Sequence, residues 1–353
     1  MGELYSKLCT YEHLLEAFRR ARKGKSSKLY VKEFETNLRN NIKELEIELK
    51  LFCYRPKPLE TFILRDPKTR KISKSDFKDR IVHHAIYILL EPIYEKYFIY
   101  DSYANRKGKG TLKAIERFDK FKRKVSKNNT QKSYILKSDI YHYFESVNHN
   151  ILLKLLEKQV KDKEFINLIK IILENFSSEK SMPLGNLTSQ FFANVYLNEL
   201  DQFVKYKLKV KYYIRYVDDF VIFDTSKNKL NSYKLKIEEF IQDSLNLKLH
   251  PNKTSIILMN QGVDFLGVRI FYNHKLLRKK NLRKFKRNYE NYKTEFNSNN
   301  LEFDNINEFL EGWSAYAKNT SSYNLRKRIN TKLPQDFSNE VSSKEVNRIL
   351  KVN

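Results

Sequence analysis

Apolar positions recur every three or four residues over much of the chain, which is the spacing of an amphipathic helix. Leu14 and Phe18 share one face near the N-terminus, and Leu45 and Leu49 repeat the spacing, which predicts helix across residues 10–55. The same periodicity predicts further helices at residues 77–98, 111–125, 148–175 and 188–208. Before the last of these helices, the pattern is broken at Gly185-Asn186.

Other segments have the short apolar runs and the alternation that are typical of strands. Residues 60–72 alternate about a central turn and predict a β-hairpin with a basic tip. A second strand is predicted to end at Asp139. Residues 212–223 form an aromatic and apolar run that contains Asp218 and Asp219, and they predict two short strands that meet at these acids.

The adjacent carboxylates of Asp218 and Asp219 are the most informative chemical feature. Two such groups between apolar strands are electrostatically costly unless a cation joins them. For an isolated pair, an acidic hairpin turn is the alternative, since Asp is common in turns. Asp139 favours a metal site over an acidic turn, because two separate strands would then bring carboxylates to one end of a sheet. Carboxylates and substrate phosphates are the ligands that Mg²⁺ takes in two-metal sites. The sequence therefore predicts a phosphoryl-transfer site, in which one metal would activate an attacking 3′-hydroxyl and the other would stabilise the leaving pyrophosphate.

The charge of the chain indicates a polyanionic partner. It contains 68 Lys and Arg against 42 Asp and Glu, a formal net charge of +26 and a pI near 9.7. Basic runs lie at residues 19–23, 106–110 and 278–287, and any one of them alone is typical of a solvated face. Their spread among 23 Tyr and 24 Phe favours a groove that neutralises phosphates and stacks on bases or sugars. We therefore expect nucleic acid as a partner.

Other classes of protein are disfavoured. The two cysteines, Cys9 and Cys53, cannot form a four-ligand metal site or a disulfide framework. The chain has no apolar run near 18 residues, and its first residues lack the character of a signal peptide. We expect a cytoplasmic protein without a membrane partner.

Several motifs follow one another in a fixed order. Residues 216–219, Tyr-Val-Asp-Asp, are similar to the palm signature of reverse transcriptases. Asp139, with Phe144 five residues later, resembles the first catalytic block of that family, whose aromatic residue lies under the incoming sugar. Over residues 55–275 the chain therefore resembles a reverse transcriptase, because several ordered motifs together are far more specific than one.

Later motifs extend the resemblance. Residues 183–194, with Ser189-Gln190, resemble the block that lines the nucleotide pocket. Residues 249–254 are similar to the block whose lysine approaches the triphosphate, and residues 265–267, Phe-Leu-Gly, resemble the primer-grip hairpin.

Within the family, the chain is most similar to the enzymes of diversity-generating retroelements, which have a core like that of group II intron enzymes. Residues 184–190 resemble their Gly-x-x-x-Ser-Gln block, where group II intron enzymes usually carry Gln-Gly-x-x-x-Ser-Pro. Residues 77–85, 101–104 and 309–314 are also similar to stretches of those proteins. The Val-Thr-Gly and Asn-Ala-x-x-His elements that are usual in retron enzymes are not found in the sequence.

The resemblance implies a metal site. Asp139, Asp218 and Asp219 would hold two Mg²⁺ ions, for which Mn²⁺ is a possible substitute. The backbone carbonyl of Ile140 would be a further ligand.

Nucleotide-binding roles are expected for a second group of residues: Arg70, Arg65, Phe144, Leu184, Gln190 and Lys253. Arg70 would clamp the triphosphate as a planar donor, with Arg65 as a second candidate, and either could instead be a solvated hairpin charge. Lys253 could act on the departing pyrophosphate or be an ordinary surface lysine. Gln190 could contact the nascent base pair or be a helix residue whose partner is the backbone. Contacts of the thumb with nucleic acid are expected from Lys279, Lys280, Arg283, Lys284 and Arg287.

The expected fold is an α/β right-hand polymerase with a small antiparallel palm sheet and a helical thumb. The expected division is an N-terminal helical extension at 1–55, fingers and palm at 56–275, a thumb at 276–335 and a polar tail at 336–353. We expect no RNase H or endonuclease domain of ordinary size after the thumb.

The predicted function is RNA-directed DNA synthesis on a dedicated structured RNA, from a DNA or RNA primer and dNTPs. For a diversity-generating system, the resemblance implies a small basic accessory protein and errors at template adenines. A defence enzyme that copies its own noncoding RNA is the alternative, since such enzymes share the same core motifs. A catalytically idle RNA-binding scaffold is less favoured, because all three aspartates are present. A maturase is also less favoured, because we expect the chain to be too short for the usual additional RNA- and DNA-binding domains.

Overall fold

The computed structural model of the protein describes residues 2–65, 69–177, 179–298 and 300–337. The helices are α1 (Glu3–Leu8), α2 (Tyr11–Arg22), α3 (Leu29–Thr36), α4 (Leu38–Lys50), α5 (Phe77–Tyr94), α6 (Thr111–Val125), α7 (Tyr143–Ser146), α8 (His149–Glu157), α9 (Lys163–Glu174), α10 (Leu187–Gln202), α11 (Lys227–Leu245), α12 (Lys279–Asn297), α13 (Phe303–Ala317) and α14 (Tyr323–Asp336). A π-helical turn, Phe203–Lys207, follows α10, and a 3₁₀ turn spans Met259–Gln261. The strands are β1 (Glu60–Leu64), β2 (Arg70–Lys74), β3 (Tyr134–Asp139), β4 (Tyr213–Tyr216), β5 (Asp219–Asp224), β6 (Ser255–Leu258), β7 (Val263–Phe265), β8 (Val268–Ile270) and β9 (Lys275–Leu277).

The strands form small sheets, as predicted. Strands β1 and β2 pair antiparallel, with Glu60 opposite Lys74 and Leu64 opposite Arg70. A second sheet has the strand order β4-β5-β3-β6, in which β4 and β5 form an antiparallel hairpin. A third sheet, β7-β8-β9, is antiparallel throughout. The hairpin at 60–72, the strand that ends at Asp139 and the two strands at 212–223 are therefore confirmed.

Some predicted helices end earlier or are divided. The predicted helix at 111–125 is confirmed as α6 at both ends. Residues 148–175 form two helices, because α8 ends at Glu157 and the Asp162 side chain caps α9 by accepting from Phe165 N at 3.1 Å. The prediction of one continuous helix there is wrong.

The N-terminal region is also divided, into α2, α3 and α4. After α2, Gly24 has φ +72°, in the left-handed region that ends helices. Asn37 forms the junction between α3 and α4. Helix α5 begins after Asp76, whose side chain accepts from Lys78 N at 3.0 Å, and it ends at Tyr94 instead of at the predicted residue 98. The predicted helix at 188–208 consists of α10 and the π-helical turn.

The chain divides into two compact units whose segments alternate along the sequence. The first comprises Met1–Gly110, Leu136–Ile222 and Asn228–Ser255, and the second comprises Thr111–Ile135, Phe223–Lys227 and Ile256–Asn353. The predicted domain boundaries near residues 55, 275 and 335 stay a prediction. Most of the predicted tail, residues 338–353, lies outside the described residues.

In the first unit, α5 is the central helix. Helix α2 packs on it, with His13 Nε2 lying 2.9 Å from the carbonyl oxygen of Ala85. Helix α10 packs on it through Phe191, whose ring makes edge contacts with Tyr87 and Tyr94 at centroid distances of 5.5 and 5.7 Å. These contacts fix α10, which carries part of the candidate site.

In the second unit, α12, α13 and α14 form a three-helix group that we call the thumb bundle. Its core contains Phe285, Tyr289, Ile306, Leu310, Leu333 and Phe337. The Trp313 ring stacks on Phe285 at a centroid distance of 3.9 Å. The apolar faces of the three helices therefore converge, as amphipathic helices require.

A fully buried ion pair joins α10 to the β4-β5 hairpin in the first unit. Arg215 on β4 and Asp201 on α10 each have side chains that are 0% exposed. The Arg215 guanidinium donates to both Asp201 carboxylate oxygens, at 2.8 and 2.6 Å, and to Asn194 Oδ1 at 3.1 Å and Ser102 Oγ at 3.1 Å. Bidentate pairing of this kind compensates for the loss of water around both charges.

The same guanidinium holds the turn between β4 and β5. Arg215 Nη1 donates to the carbonyl oxygen of Val217 at 3.0 Å. Val217 has φ +54°, which is unusual for a β-branched residue and costs of order 1–3 kcal/mol. The bond from Arg215 helps to hold this strained residue in place, and Asp218 follows it directly.

We predict that Asp201→Asn lowers the free energy of unfolding by about 3–5 kcal/mol, because it leaves the Arg215 charge buried without its counter-ion. Urea denaturation followed by far-UV circular dichroism measures this. Glu199→Gln is the matched control on the same helix, since Glu199 pairs with Lys158 at 3.0 Å where both side chains are partly exposed. That variant should change stability by less than about 1 kcal/mol. Equal effects of the two substitutions would contradict the prediction.

Candidate active site

Three aspartates meet at one edge of the β4-β5-β3-β6 sheet. Asp139 is the last residue of β3 and is 6% exposed. Asp218 lies in the turn between β4 and β5, and Asp219 begins β5. The backbone N–H of Ile140 donates to the carbonyl oxygen of Asp218 at 3.2 Å, which ties the end of β3 to the turn. The structure therefore brings together the three acids that the sequence placed on separate strands.

The carboxylates are close enough to influence one another. Burial, followed by the negative charges of Asp219 and Asp139, raises the pKa of Asp218 to about 6. Lys253 supplies an opposing charge, because its ammonium donates to Asp139 Oδ1 at 2.7 Å. The three carboxylates repel one another, and a bound cation would relieve that repulsion.

The donor set fits divalent metal ions by its chemistry. Carboxylate oxygens are the protein ligands that Mg²⁺ prefers, and substrate phosphates complete its coordination. Among the residues that the structure describes, no three His, Cys, Asp or Glu side chains form a ready-made metal cluster. The side chains of Asp139, Asp218 and Asp219 would therefore have to turn toward a shared ion.

Backbone contacts place Lys253 beside Asp139. The N–H of His250 donates to the carbonyl oxygen of Asp139 at 2.7 Å, and the N–H of Tyr141 donates to that of Lys248 at 2.8 Å. The hydroxyls of Ser138 and Thr254 lie 2.8 Å apart. These contacts hold residues 248–254 against the end of β3. Lys253 therefore lies at the acidic site, while its predicted action on the departing pyrophosphate stays a prediction.

The β1-β2 hairpin is fixed to residues 183–186, which we call the pocket loop. The N–H of Ser73 donates to the carbonyl oxygen of Leu184 at 2.9 Å, and Asn186 Oδ1 accepts from the backbone and hydroxyl of Ser75. Gly185 has φ +116°, and a Cβ atom there would lie 2.9 Å from Ile72 Cγ2. Only glycine suits this conformation and this close approach.

The predicted nucleotide-binding residues lie on these elements. Arg70 begins β2 and Arg65 follows β1, and both are exposed. Leu184 in the pocket loop and Gln190 in the first turns of α10 are half-buried. The Gln190 N–H donates to the carbonyl oxygen of Asn186 at 3.3 Å, so its backbone is satisfied. Their contacts with a nucleotide stay a prediction.

Phe144 has a fixed backbone and a half-buried ring. Its carbonyl oxygen accepts from Met182 N at 2.7 Å. Its ring lies against Tyr143 at a centroid distance of 5.4 Å, and the Tyr143 hydroxyl donates to the carbonyl oxygen of Ala193 at 2.7 Å. Phe144 is therefore held from behind while part of its ring remains accessible.

In the thumb bundle, the predicted basic residues share the polar side of α12. Lys279, Lys280, Arg283 and Arg287 are exposed, and Lys284 is half-buried. Phe285 and Tyr289 of the same helix face the bundle core. Their exposure is compatible with the predicted contacts to nucleic acid.

Sequence reasoning missed the residues that support the site. Arg215, Asp201 and Asn194 hold the turn before Asp218, and Asn186 anchors the hairpin to the pocket loop. Arg215 had a local signal, because an arginine inside an apolar strand must find a buried partner. No local signal paired it with Ser102, because that bond spans 113 positions of sequence.

The architecture is that of a nucleotide polymerase: carboxylates at the end of a small antiparallel sheet, with helices behind it. The sequence profile of the "Reverse transcriptase (RNA-dependent DNA polymerase)" family matches residues 62–270, more than half of the chain. The chain belongs to this family, whose members are RNA-directed DNA polymerases that use divalent metal ions.

Curated relatives include bacterial proteins. Protein YkfC of Escherichia coli K12 is 26% identical over 272 residues, which cover 65% of this chain and 69% of that protein. The group II intron-encoded protein LtrA of Lactococcus lactis subsp. cremoris is 24% identical over 302 residues, covering 65% of this chain and 49% of LtrA. The match with LtrA thus spans about half of that relative's length.

A solved telomerase from Candida albicans, in complex with a fragment of telomeric RNA, shares the fold. The TM-score is 0.50 at 12% sequence identity, covering 85% of this chain and 65% of that one. No helix in the described part of the chain is long and apolar enough to span a membrane.

We predict that Phe144→Ala raises the efficiency of ribonucleotide incorporation, relative to deoxyribonucleotides, by about tenfold or more. The reason is steric, because the family resemblance puts this ring where a 2′-hydroxyl would collide with it. Single-nucleotide incorporation with rNTP and dNTP measures the ratio. Tyr141→Ala is the control, since Tyr141 is an exposed aromatic residue in the same segment, and it should leave the ratio unchanged. An unchanged ratio in Phe144→Ala would show that Phe144 only packs.

Proposed function

We propose that this protein copies a dedicated structured RNA into cDNA by two-metal nucleotidyl transfer. The convergence of Asp139, Asp218 and Asp219 at one sheet edge is the observation that carries the proposal. Membership of the reverse transcriptase family supports it. A catalytically idle scaffold has no need of three carboxylates whose mutual repulsion must be overcome.

In the proposed mechanism, bound divalent ions would activate the primer 3′-hydroxyl and stabilise the leaving pyrophosphate. Asp139, Asp218 and Asp219 would hold them, with the Ile140 carbonyl as a further ligand. Lys253 lies beside Asp139 and can place a positive charge, or donate a proton, where negative charge develops. Arg70, and secondarily Arg65, would bind the triphosphate from the β1-β2 hairpin. The basic side of α12 would bind the primer and template backbones.

We predict that Asp218→Asn lowers extension of a DNA primer on an RNA template at least about a hundredfold, because a metal ligand supplies several kcal/mol of transition-state stabilisation. RNA binding should change little, since the lysines and arginines are untouched. Primer extension and filter binding measure the two effects.

Asp224→Asn is the matched control for this prediction. Asp224 is the last residue of β5, the strand that Asp219 begins, and its carboxylate accepts from Ser226 N at 3.0 Å. That variant should retain extension. Full extension by Asp218→Asn would refute the two-metal assignment.

The finer proposal is a role in a diversity-generating retroelement, with a small basic accessory protein. The Gly-x-x-x-Ser-Gln block at residues 185–190 supports it. Leu184 precedes this block, and its carbonyl oxygen is bonded to the hairpin that carries Arg70. A slightly loose fit between these two elements would lower discrimination against wrong nucleotides.

We therefore predict frequent misincorporation opposite template adenine and much less opposite the other bases. Substitution of Arg70 or Leu184 should change that ratio, and about 1.4 kcal/mol of altered discrimination changes it tenfold. Sequencing of cDNA made on a defined four-base template tests this. Uniformly low error at all four bases would contradict the retroelement role and leave the polymerase proposal standing.

An intron-associated role is the second candidate, because LtrA and a nuclear intron maturase of Arabidopsis thaliana are among the relatives. A defence enzyme that copies its own noncoding RNA is a third. The RNA that copurifies with the protein discriminates among these roles: an intron, a template repeat, or a separate noncoding RNA.

A further inference from the structure

A cavity of about 340 Å³ lies in the first unit, bordered by the end of α5, by α8, by α10 and by the π-helical turn. Its lining includes Lys96, Tyr97, Lys158, Asn198 and Tyr206. It shares no lining residue with the acidic site or with the pocket loop. Its volume is at the lower end of the range of small-molecule sites.

Two accessible tyrosine rings border this cavity. Tyr206 is 68% exposed and Tyr97 is 46% exposed. In the described part of the chain, neither ring has an aromatic or cationic partner. Tyr100 provides the contrast, because it is also 68% exposed but the Lys109 ammonium lies 3.4 Å from its ring centroid. The ring faces of Tyr97 and Tyr206 are therefore available to a ligand.

Both rings are held by ordered backbone. Tyr206 lies in the π-helical turn, in which Leu208 N donates to the carbonyl oxygen of Phe203 at 2.9 Å. The Phe203 ring stacks on Phe240 at 4.1 Å, which anchors the turn. On the other side, the Gln202 amide donates to the carbonyl oxygen of Tyr97 at 2.8 Å. A backbone that is already hydrogen-bonded reduces the backbone entropy that binding must overcome.

Two lysines, Lys96 and Lys158, line the cavity, and further lysines lie along the chain on either side of Tyr206. Lys205, Lys207, Lys209 and Lys211 alternate with other residues along the segment that carries Tyr206, and the last three are exposed. Lys96 is also exposed, whereas Lys158 is paired with Glu199 at 3.0 Å. Aromatic faces among lysines are the combination that binds single-stranded nucleic acid.

We infer that this cavity binds one unpaired nucleotide of a single-stranded nucleic acid, with the base against Tyr206 or Tyr97 and the adjoining phosphate near Lys96 and Lys207. The inference stands apart from the catalytic proposal, because it uses none of the carboxylates. The strand could be an unpaired part of an RNA or a single-stranded DNA, and both offer the same base and phosphate.

Photo-crosslinking locates the site in the full chain. Single-stranded decamers that carry one 4-thiouridine or 4-thiothymidine are irradiated with the protein, and crosslinked peptides are identified by mass spectrometry. Crosslinks are expected in the segments that contain Tyr97 and Tyr206. The RNA and DNA arms identify the strand, and free 4-thio-UMP tests whether a mononucleotide suffices. Crosslinks confined to other segments, such as α12, would overturn the inference, and equal labelling by the mononucleotide would overturn its assignment to a strand.

Affinity measurements separate stacking from charge. Tyr206→Ala should raise the Kd of a short unstructured decamer by about fivefold or more, because base stacking on an aromatic ring has that magnitude. The slope of log Kd against log salt should not change, since no cation is lost. Tyr206→Phe should bind as the wild type does. Lys96→Gln should instead reduce the salt slope.

Tyr323→Ala is the matched control, because Tyr323 is 50% exposed and lies on α14. It should leave the Kd unchanged. Asp218→Asn should bind the decamer with wild-type affinity, so a failure of this site can be distinguished from a failure of the catalytic proposal. Equal affinities of the wild type, Tyr206→Ala and Tyr97→Ala would overturn the inference.

Discussion

The buried guanidinium of Arg215 is the group on which the arrangement of the candidate active site depends. A charge without access to water is tolerable only when its hydrogen-bonding groups are matched, and here Asp201, Asn194, Ser102 and Val217 accept from it. These residues come from α10, from the segment before α6, and from the turn itself. One side chain therefore sets the position of the turn relative to the helix behind it. Because the matching is specific, a shift of the turn would break the bond from Arg215 Nη1 to the carbonyl oxygen of Val217.

This constraint explains how the site tolerates its own electrostatics. Asp218 and Asp219 are adjacent, and Asp139 is delivered to the same place by another strand, so the folded chain concentrates negative charge that would be dilute in the unfolded chain. Lys253 balances part of it. Packing and hydrogen bonds away from the acids offset the remaining repulsion and the strain of the left-handed backbone at Val217. Backbone strain and repulsion between like charges, stabilised by well-packed surrounding residues, are typical of functional sites.

Periodicity predicted the elements well where a single local signal dominates. Helix α6 and the β1-β2 hairpin follow their patterns, because amphipathic spacing and a central turn each act within a few residues. It failed at the junction between α8 and α9, where apolar spacing continues across a break that the Asp162 cap creates. In the site, the positions of the acids could be predicted locally, because Asp218 and Asp219 are adjacent and Asp139 ends a strand. Their support was not, because Arg215 reaches partners that only the tertiary fold brings near.

The net charge of the chain and the local charge of its candidate active site have opposite signs. The chain carries a formal charge of +26, yet its candidate active site is acidic. A polyanion attracted by surface lysines would be repelled at these carboxylates unless divalent cations accompanied it, so in the proposed mechanism entry of the nucleic acid would depend on metal binding. The remaining basic surface has no such requirement. There, phosphate contacts alone would hold a strand without fixing its register. An exposed ring that stacks on one base would fix the register. The two kinds of site therefore divide the work: one reacts with a strand, and the other can hold a strand in place.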